Sequence, residues 1–217
     1  MSVSSGSTAP GWILDRARAL AAEALAAGVL EPIGAVRVAV DGFDVRILAG
    51  FDRKAPRTAG DPFLPPYEPL LLVDGAFGPD HAIVLNRYPV LDDHLLVVTR
   101  AWADQELPAS PADLDALDRL LAEIDGLGFY NAGVAAGASQ PHRHLQLVSR
   151  AALGPIPVEP AIRAAIAAGA GEVADWPFVH RIGARSAPIP SVSGPHTLLV
   201  TRGWWLVAPR TTGAVDG

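Results

Sequence analysis

A chain of 217 residues, half of them apolar, is long enough for one sizeable core with or without a small second unit. The formal net charge of −6 argues against a protein that coats nucleic acid, and no apolar run approaches the ~18 residues of a membrane-spanning helix. The sequence has no cysteine, which excludes disulfides and thiolate metal sites and suits a cytoplasmic protein.

The first predicted elements are a helix and a hairpin. Apolar residues recur at helical spacing over 11–27, and Gly28 is placed to end that helix. Apolar residues then alternate over 36–40, Asp41-Gly42 supplies a tight turn, and the alternation resumes over 43–47. A helix followed by an antiparallel hairpin is therefore expected at the start of the chain.

A proline-rich loop over 52–66 carries the densest basic cluster of the chain, Arg53, Lys54 and Arg57. From the residues alone, a solvated loop explains this cluster as well as a phosphate contact does. Short apolar runs that predict strands follow at 70–73, 82–85 and 95–99.

A capped helix is predicted next. Ser110-Pro111-Ala112-Asp113 places a cap residue, a first-position proline and an acidic third residue before a helical apolar pattern. We expect about four turns, ended by Gly126. The segment 129–131 then leads into a loop over 132–141 and a strand over 142–148.

Beyond Arg150 the predicted elements are a helix, a link and two strands, at 159–168, 185–195, 197–201 and 204–208. The order of strands, helix and strands predicts an α+β architecture with an antiparallel sheet.

The most specific pattern of the sequence is Gly137-Ala138-Ser139-Gln140-Pro141-His142-Arg143-His144-Leu145-Gln146. Because alternate side chains of a strand share a face, His142, His144 and Gln146 should point the same way beside a Gly/Ser loop. Such a loop offers backbone N–H groups and a hydroxyl to phosphate oxygens. A neutral imidazole with one nitrogen held as a donor can attack phosphorus with the other, so His144 is the predicted nucleophile.

The neighbours of His144 have their own expected roles. His142 is expected to orient the nucleophile or to donate to the substrate. Gln146 cannot act as a general acid, so a leaving polyphosphate would depart largely unprotonated, which suits ADP or ATP. The His-x-His pattern also fits a zinc site with His94 or His180 as third ligand. Otherwise we interpret His94 as a structural residue near the end of the sheet.

The motif resembles that of the histidine-triad-like nucleotidyltransferases. Its Gln at the third site, preceded by Gly-x-Ser-Gln-Pro, is similar to the diadenosine tetraphosphate (Ap4A) phosphorylases, the ATP adenylyltransferases. Further segments match in chain order: the Lys54 loop with 61–66, then 86–90, 94–96 and 128–131. The resemblance covers most of residues 30–150 and implies a histidine-triad-like (galactose-1-phosphate uridylyltransferase-like) antiparallel sheet with flanking helices.

The resemblance also implies a reaction and its participants. His144 would be adenylylated with release of ATP, and phosphate would then capture the AMP to give ADP, reversibly. No resident cofactor is implied, and a divalent cation such as Mg²⁺ bound with the nucleotide stays open. The implied partners are a dinucleoside polyphosphate, ATP, ADP and phosphate, without nucleic acid or membrane. The implied catalytic residues are His144, His142 and Gln146, and the implied substrate-binding residues are Lys54, Asn86, Arg87, Asn131, Gly137, Ala138, Ser139 and Gln140.

We expect an N-terminal catalytic domain over 1–150 and a shortened C-terminal ATP adenylyltransferase module over 151–217. In that module Thr197 stands where the family usually has Asn, and the sequence stops at Gly217 where family members typically continue. Two alternatives therefore stay open. One is a catalytically impaired nucleotide-binding protein, and the other is a related nucleotidyltransferase or hydrolase with a different acceptor.

Overall fold

The computed structural model describes residues 11–40, 43–48 and 60–210. Its helices are α1 (Trp12–Ala26), α2 (Pro111–Glu123), α3 (Arg150–Leu153) and α4 (Glu159–Ala167). Its strands are β1 (Ala35–Val40), β2 (Phe43–Leu48), β3 (Leu72–Phe77), β4 (His81–Leu85), β5 (His94–Thr99), β6 (Gly126–Ala132), β7 (His144–Ser149), β8 (Arg181–Ala184), β9 (His196–Val200) and β10 (Trp204–Pro209). None of the described helices is long and apolar enough to cross a membrane.

Eight of the strands form one antiparallel sheet. Its order is β3-β4-β5-β7-β6-β9-β10-β8, while β1 and β2 form a separate hairpin. The predicted α+β architecture is confirmed. Strands β5, β7 and β6 lie in the middle of this sheet, so each of them is paired on both sides.

The alternation of side chains along β7 separates two faces of the sheet. Leu145 and Leu147 are fully buried in the main core, which also contains Ile13 of α1 and Leu117 of α2. His144 and Gln146 alternate with these leucines and therefore point to the opposite face. On that face Phe63 belongs to a second apolar cluster over β4 and β5. The functional motif thus lies on the face that α1 and α2 leave open.

Gly126 does not end α2, as the sequence predicted. The helix ends at Glu123, because Ile124 is already extended, and Gly126 is the first residue of β6. A Cβ at position 126 would lie 2.2 Å from the carbonyl oxygen of Val148. The glycine therefore serves the close approach of β6 and β7 rather than a helix stop.

Other element boundaries also differ from the prediction. The strand expected at 70–73 runs from Leu72 to Phe77, and β6 extends through Ala132. The strand expected from His142 begins at His144. Sequence patterns did not indicate strand β8, the short helix α3 or a 3₁₀ turn at Val134–Ala136.

The second part of the chain joins the same sheet as the first. Strand β9 pairs with β6, and α3 begins at Arg150, next to the predicted domain boundary. The division into two domains remains a prediction. The predicted turn at Asp41-Gly42 and the basic residues Arg53, Lys54 and Arg57 lie outside the described residues.

Candidate active site

A cavity of about 300 Å³ opens over the middle of the sheet. It is lined by Val90, Leu91, His94, Leu127, Phe129, Asn131, Gly137, Ser139, His144, Gln146, Val148 and Leu153. The ladder between β6 and β7 arranges these residues in rows, since Phe129 lies opposite Gln146 and Leu127 opposite Val148. The cavity therefore has a polar end near His144 and an apolar end near Val148.

His144 is the first residue of β7, and its side chain is buried at the polar end. Its Nδ1 donates a hydrogen bond to the carbonyl oxygen of His142 at 2.8 Å, which leaves Nε2 without a proton in the neutral ring. Burial lowers the pKa of His144 to about 4, against the opposing effect of that hydrogen bond. The ring of Phe63 packs against it with centroids 5.0 Å apart. The imidazole is thus neutral near pH 7, as a nucleophile requires.

His142 packs against the same Phe63 ring as His144, with its ring centroid 5.9 Å from that of Phe63, but it does not line the cavity. It precedes β7 and forms an isolated bridge with Asp104. Its ring is held elsewhere: Nδ1 donates to Asp61 Oδ2 at 2.6 Å, and Nε2 lies 2.8 Å from the Thr99 carbonyl oxygen. His142 contributes to the site through its backbone carbonyl, which orients the imidazole of His144.

A chain of hydrogen bonds fixes the amide of Gln146. The Tyr88 backbone N–H donates to Asn86 Oδ1 at 3.0 Å, so Asn86 Nδ2 is the group that donates to His94 Nδ1 at 3.1 Å. His94 then carries its proton on Nε2 and donates to Gln146 Oε1 at 2.9 Å. Because the oxygen of Gln146 is occupied, its NH₂ group is the end free to donate into the cavity.

These hydrogen bonds change the roles that the sequence predicted for two residues, His94 and Asn86. His94, interpreted from the sequence as structural, lines the cavity, and burial lowers its pKa against the opposing effect of the Gln146 hydrogen bond. Asn86, expected to contact nucleotide, is not among the residues lining the cavity and reaches it only through His94.

Asn131 and the Gly/Ser loop complete the polar end. Asn131 Oδ1 accepts a hydrogen bond from Thr197 Oγ1 at 3.2 Å, so the Asn131 NH₂ group is free to donate. Gly137 has a φ of +99°, which favours glycine. Gly137 and Ser139 line the cavity, whereas Ala138 and Gln140 do not.

The predicted cations are not part of the described cavity. Arg87 lies outside it, 3.4 Å from Glu31 Oε1 and over the ring of Tyr88. Lys54 lies outside the described residues. Within 11–40, 43–48 and 60–210, no group of three or more His, Asp or Glu side chains is arranged to hold a metal ion.

Sequence reasoning missed Gln105, whose side chain is only 1% exposed and contacts the backbone of His144 directly. Its Oε1 accepts from the backbone N–H of His144 at 2.7 Å. Gln105 stands in an irregular segment between polar residues, and nothing in its local pattern distinguishes it from a solvated loop residue. Only the proximity of that segment to β7 shows its role.

The chain is similar in sequence to known proteins. The model of the Ap4A phosphorylase N-terminal domain family matches residues 4–164. Diadenosine 5',5'''-P1,P4-tetraphosphate phosphorylase 2 of Saccharomyces cerevisiae is 34% identical over 102 residues, which are 42% of this chain and 31% of the yeast protein. The matched part is thus less than a third of that curated relative.

Solved structures show a similar fold. The crystal structure of yeast Ap4A phosphorylase Apa2 in complex with AMP has a TM-score of 0.73 and 20% identity, covering 94% of this chain and 82% of that one. The complex of Apa2 with Ap4A has a TM-score of 0.72 and 19% identity, covering 94% and 83%. The predicted histidine-triad-like fold is confirmed.

Proposed function

Because this chain belongs to the Ap4A phosphorylase family, we propose that it is a nucleotidyltransferase that cleaves Ap4A with inorganic phosphate. The products are ATP and ADP, and the reaction is reversible. The observation that carries the proposal is the state of His144. Its imidazole is buried and neutral, its Nδ1 is held by a backbone carbonyl, and its unprotonated Nε2 belongs to a residue that lines the cavity.

The proposed reaction has two displacements at one phosphorus. Nε2 of His144 attacks the phosphorus of an adenylyl group, the bond from that phosphorus to the bridging oxygen breaks, and ATP leaves. An oxygen of inorganic phosphate then attacks the adenylyl phosphorus, the bond to Nε2 breaks, and ADP leaves. The first displacement needs no general acid, because the leaving polyphosphate is stable as an anion. The second displacement restores the neutral imidazole.

Hydrogen-bond donors at the polar end support this chemistry. The NH₂ groups of Gln146 and Asn131 are left free by the bonds that occupy their oxygens. In the loop, the N–H groups of Gly137 and Ala138 already donate to the carbonyl oxygens of Val134 and Gly133. Ser139, which lines the cavity, adds its backbone N–H and its hydroxyl. Such fixed donors stabilise the charge that develops on non-bridging oxygens during phosphoryl transfer. We assign Lys54 the role of an added cation for the polyphosphate.

The apolar end of the cavity suits the adenine and ribose of the transferred group. Leu127 of β6 lies beside Val148 of β7 at this end, and Phe129, Leu91 and Leu153 add further apolar lining to the cavity. Ligand cavities of this kind combine an apolar lining with a few convergent polar groups. The base therefore lies toward Val148 and the reacting phosphate toward His144.

The test is a product assay on the purified 217-residue chain with Ap4A and phosphate, with and without Mg²⁺. We expect ATP and ADP, and we expect His144→Ala to reduce turnover by about 1,000-fold or more while the circular dichroism spectrum is unchanged. His180→Ala is the control, since His180 is also a buried histidine but does not line the cavity.

Other products would assign a different function. Release of AMP instead of ADP identifies water as the acceptor and makes the protein a hydrolase. Thermal stabilisation by nucleotide without any product identifies a nucleotide-binding protein. Undiminished turnover by His144→Ala would reject the histidine nucleophile.

A further inference from the structure

Strands β6 and β7 stop pairing next to the nucleophile. Their ladder runs from Gly126 opposite Ser149 to Phe129 opposite Gln146. Two more residues of the same register would place Asn131 opposite His144, where an antiparallel pair exchanges N–H and C=O bonds. Instead the strands diverge at this point, and we call the gap between them the fork.

A short segment, 103–105, fills the fork. The Arg143 backbone N–H donates to the Ala103 carbonyl oxygen at 2.8 Å on the β7 side, and the Gly133 N–H donates to the Gln105 carbonyl oxygen at 3.0 Å on the β6 side. The Gln105 N–H donates to the Pro141 carbonyl oxygen at 2.9 Å, and the Tyr130 hydroxyl donates to the Gln105 carbonyl oxygen at 2.9 Å. The backbone of Gln105 is therefore fixed from both sides.

The side-chain amide of Gln105 then replaces the missing ladder bonds. Its Oε1 accepts from the His144 N–H at 2.7 Å. Its Nε2 donates to the Asn131 carbonyl oxygen at 2.8 Å and to the His144 carbonyl oxygen at 3.2 Å. One buried amide thus binds three of the four backbone groups that Asn131 and His144 would otherwise offer to each other, namely the His144 N–H and both carbonyl oxygens.

We infer that Gln105 is a positioning residue that holds the fork open and sets the place of the His144 imidazole relative to Asn131. The apolar end of the cavity lies where β6 and β7 are still paired, so it does not depend on Gln105. The polar end lies at the fork and does depend on it. This inference rests on the proposed function in so far as His144 is the nucleophile.

The test compares the 217-residue protein with its Gln105→Met variant. Methionine has a similar volume but neither donates nor accepts these hydrogen bonds. We expect the rate of adenylyl-His144 formation, measured in single turnover with adenosine-labelled Ap4A, to fall by about 10- to 100-fold, because small displacements of a reacting group are costly. The Kd for adenosine, which lacks a phosphate and should bind only at the apolar end, should stay close to the wild-type value. The backbone amide of His144 should exchange with solvent faster.

The control is Ser110→Ala, which removes a helix cap away from the cavity and also lowers the melting temperature. It should change neither the rate of adenylylation nor the exchange of the His144 amide. A Gln105→Met protein that matches this control in both measurements would overturn the inference, as would one in which only thermal stability falls.

The two proposals can fail separately. If the wild-type protein forms no adenylyl-histidine, the proposed function fails. The exchange of the His144 amide, measured without nucleotide, still decides whether Gln105 holds this residue. If that amide is equally protected in Gln105→Met, the fork does not need Gln105 and the inference fails.

Discussion

The burial of His144 sets the pH range over which its Nε2 is unprotonated. Burial lowers its pKa from 6.5 to about 4, so the ring remains neutral well into the acid range. A solvated histidine would lose its lone pair to a proton near pH 6.5. The site therefore keeps the proposed nucleophile unprotonated by excluding water rather than by adding a base.

This pKa predicts the acid limb of the rate. The logarithm of kcat/KM for Ap4A should show no decline from His144 protonation between neutral pH and about 5, and should fall below about pH 4 with a slope of one. A pH profile of initial rates measures it. An inflection of kcat/KM near pH 6.5 that persists when each of the other histidines is replaced would contradict the buried neutral ring.

The lowered pKa of His144 also makes the free energy of unfolding depend on pH. Between pH 6.5 and about 4 the unfolded chain binds a proton at His144 and the folded chain does not. Stability from this residue is therefore full above 6.5 and decreases as the pH falls toward 4.

Sequence patterns predicted some residues of the site. The spacing of His144 and Gln146 in a strand, and the Gly/Ser loop before it, identified side chains that do meet at one cavity. It could not identify the partners of those side chains. Asp61 and His142 are 81 residues apart, and Gln105 acts through an amide in an irregular segment, so neither contact has a periodic signature.

At the scale of elements, the contact between α2 and β6 depends on Gly128. A Cβ at this position would lie 2.9 Å from Leu117 Cδ1 and 3.0 Å from Cδ2. The absence of a side chain lets the helix lie close to the strand that carries Asn131. Leu117 is fully buried, so it has little room to move away.

Gly128→Ala is therefore expected to lower the free energy of unfolding by about 1–3 kcal/mol, as overpacking of a core does. Urea unfolding followed by circular dichroism measures the change. Gly171→Ala is the matched control, because a Cβ there would meet no atom within 4 Å. Equal stability of the two variants would show that α2 accommodates the added methyl group.

Element prediction succeeded where a local signal exists. The capping box of α2 is present as expected, with Ser110 accepting from the Asp113 N–H and Asp113 accepting from the Ser110 N–H. It failed where a residue serves a distant strand, as Gly126 does for Val148. Strand β8 gave no signal because only Ile182 of its four residues is buried.

At the scale of the whole molecule, one buried carboxylate links three elements. Asp113 of α2 accepts from His81 of β4 at 2.8 Å and from Arg143, just before β7, at 3.2 Å. Burial alone would raise the pKa of Asp113, but the hydrogen bonds from His81 and Ser110 and the charge of Arg143 lower it overall. The charged carboxylate thus stabilises the fold above its ordinary pKa, and this stability is lost as the pH falls through the lowered value.

Asp113→Asn should lower the free energy of unfolding by about 3 kcal/mol, because it leaves Arg143 buried without its counter-charge. Denaturant unfolding at neutral pH measures the loss. Asp118→Asn is the matched control on the same helix, since Asp118 pairs with Arg185 at the surface and such pairs contribute about 0–1 kcal/mol. A loss at Asp113 no larger than at Asp118 would contradict the role of the buried link.

Strand order is the feature that sequence patterns predicted least well. Local alternation predicts that strands exist, but it does not show that β7 lies between β5 and β6, or that β9 follows β6. Those neighbours are far apart in the chain, and their pairing depends on the packing of both faces of the sheet. The resemblance of the motif segments, rather than the patterns, indicated the complete fold.

The central place of β7 has a consequence for recognition. Strands on both sides of it are themselves paired, so the polar and apolar ends of the cavity are separated by a fixed distance before any ligand arrives. A nucleotide that binds there loses its own freedom of rotation and torsion, while the protein backbone loses little. Selection among ligands is then a matter of whether an apolar group and a phosphate are separated by that fixed interval.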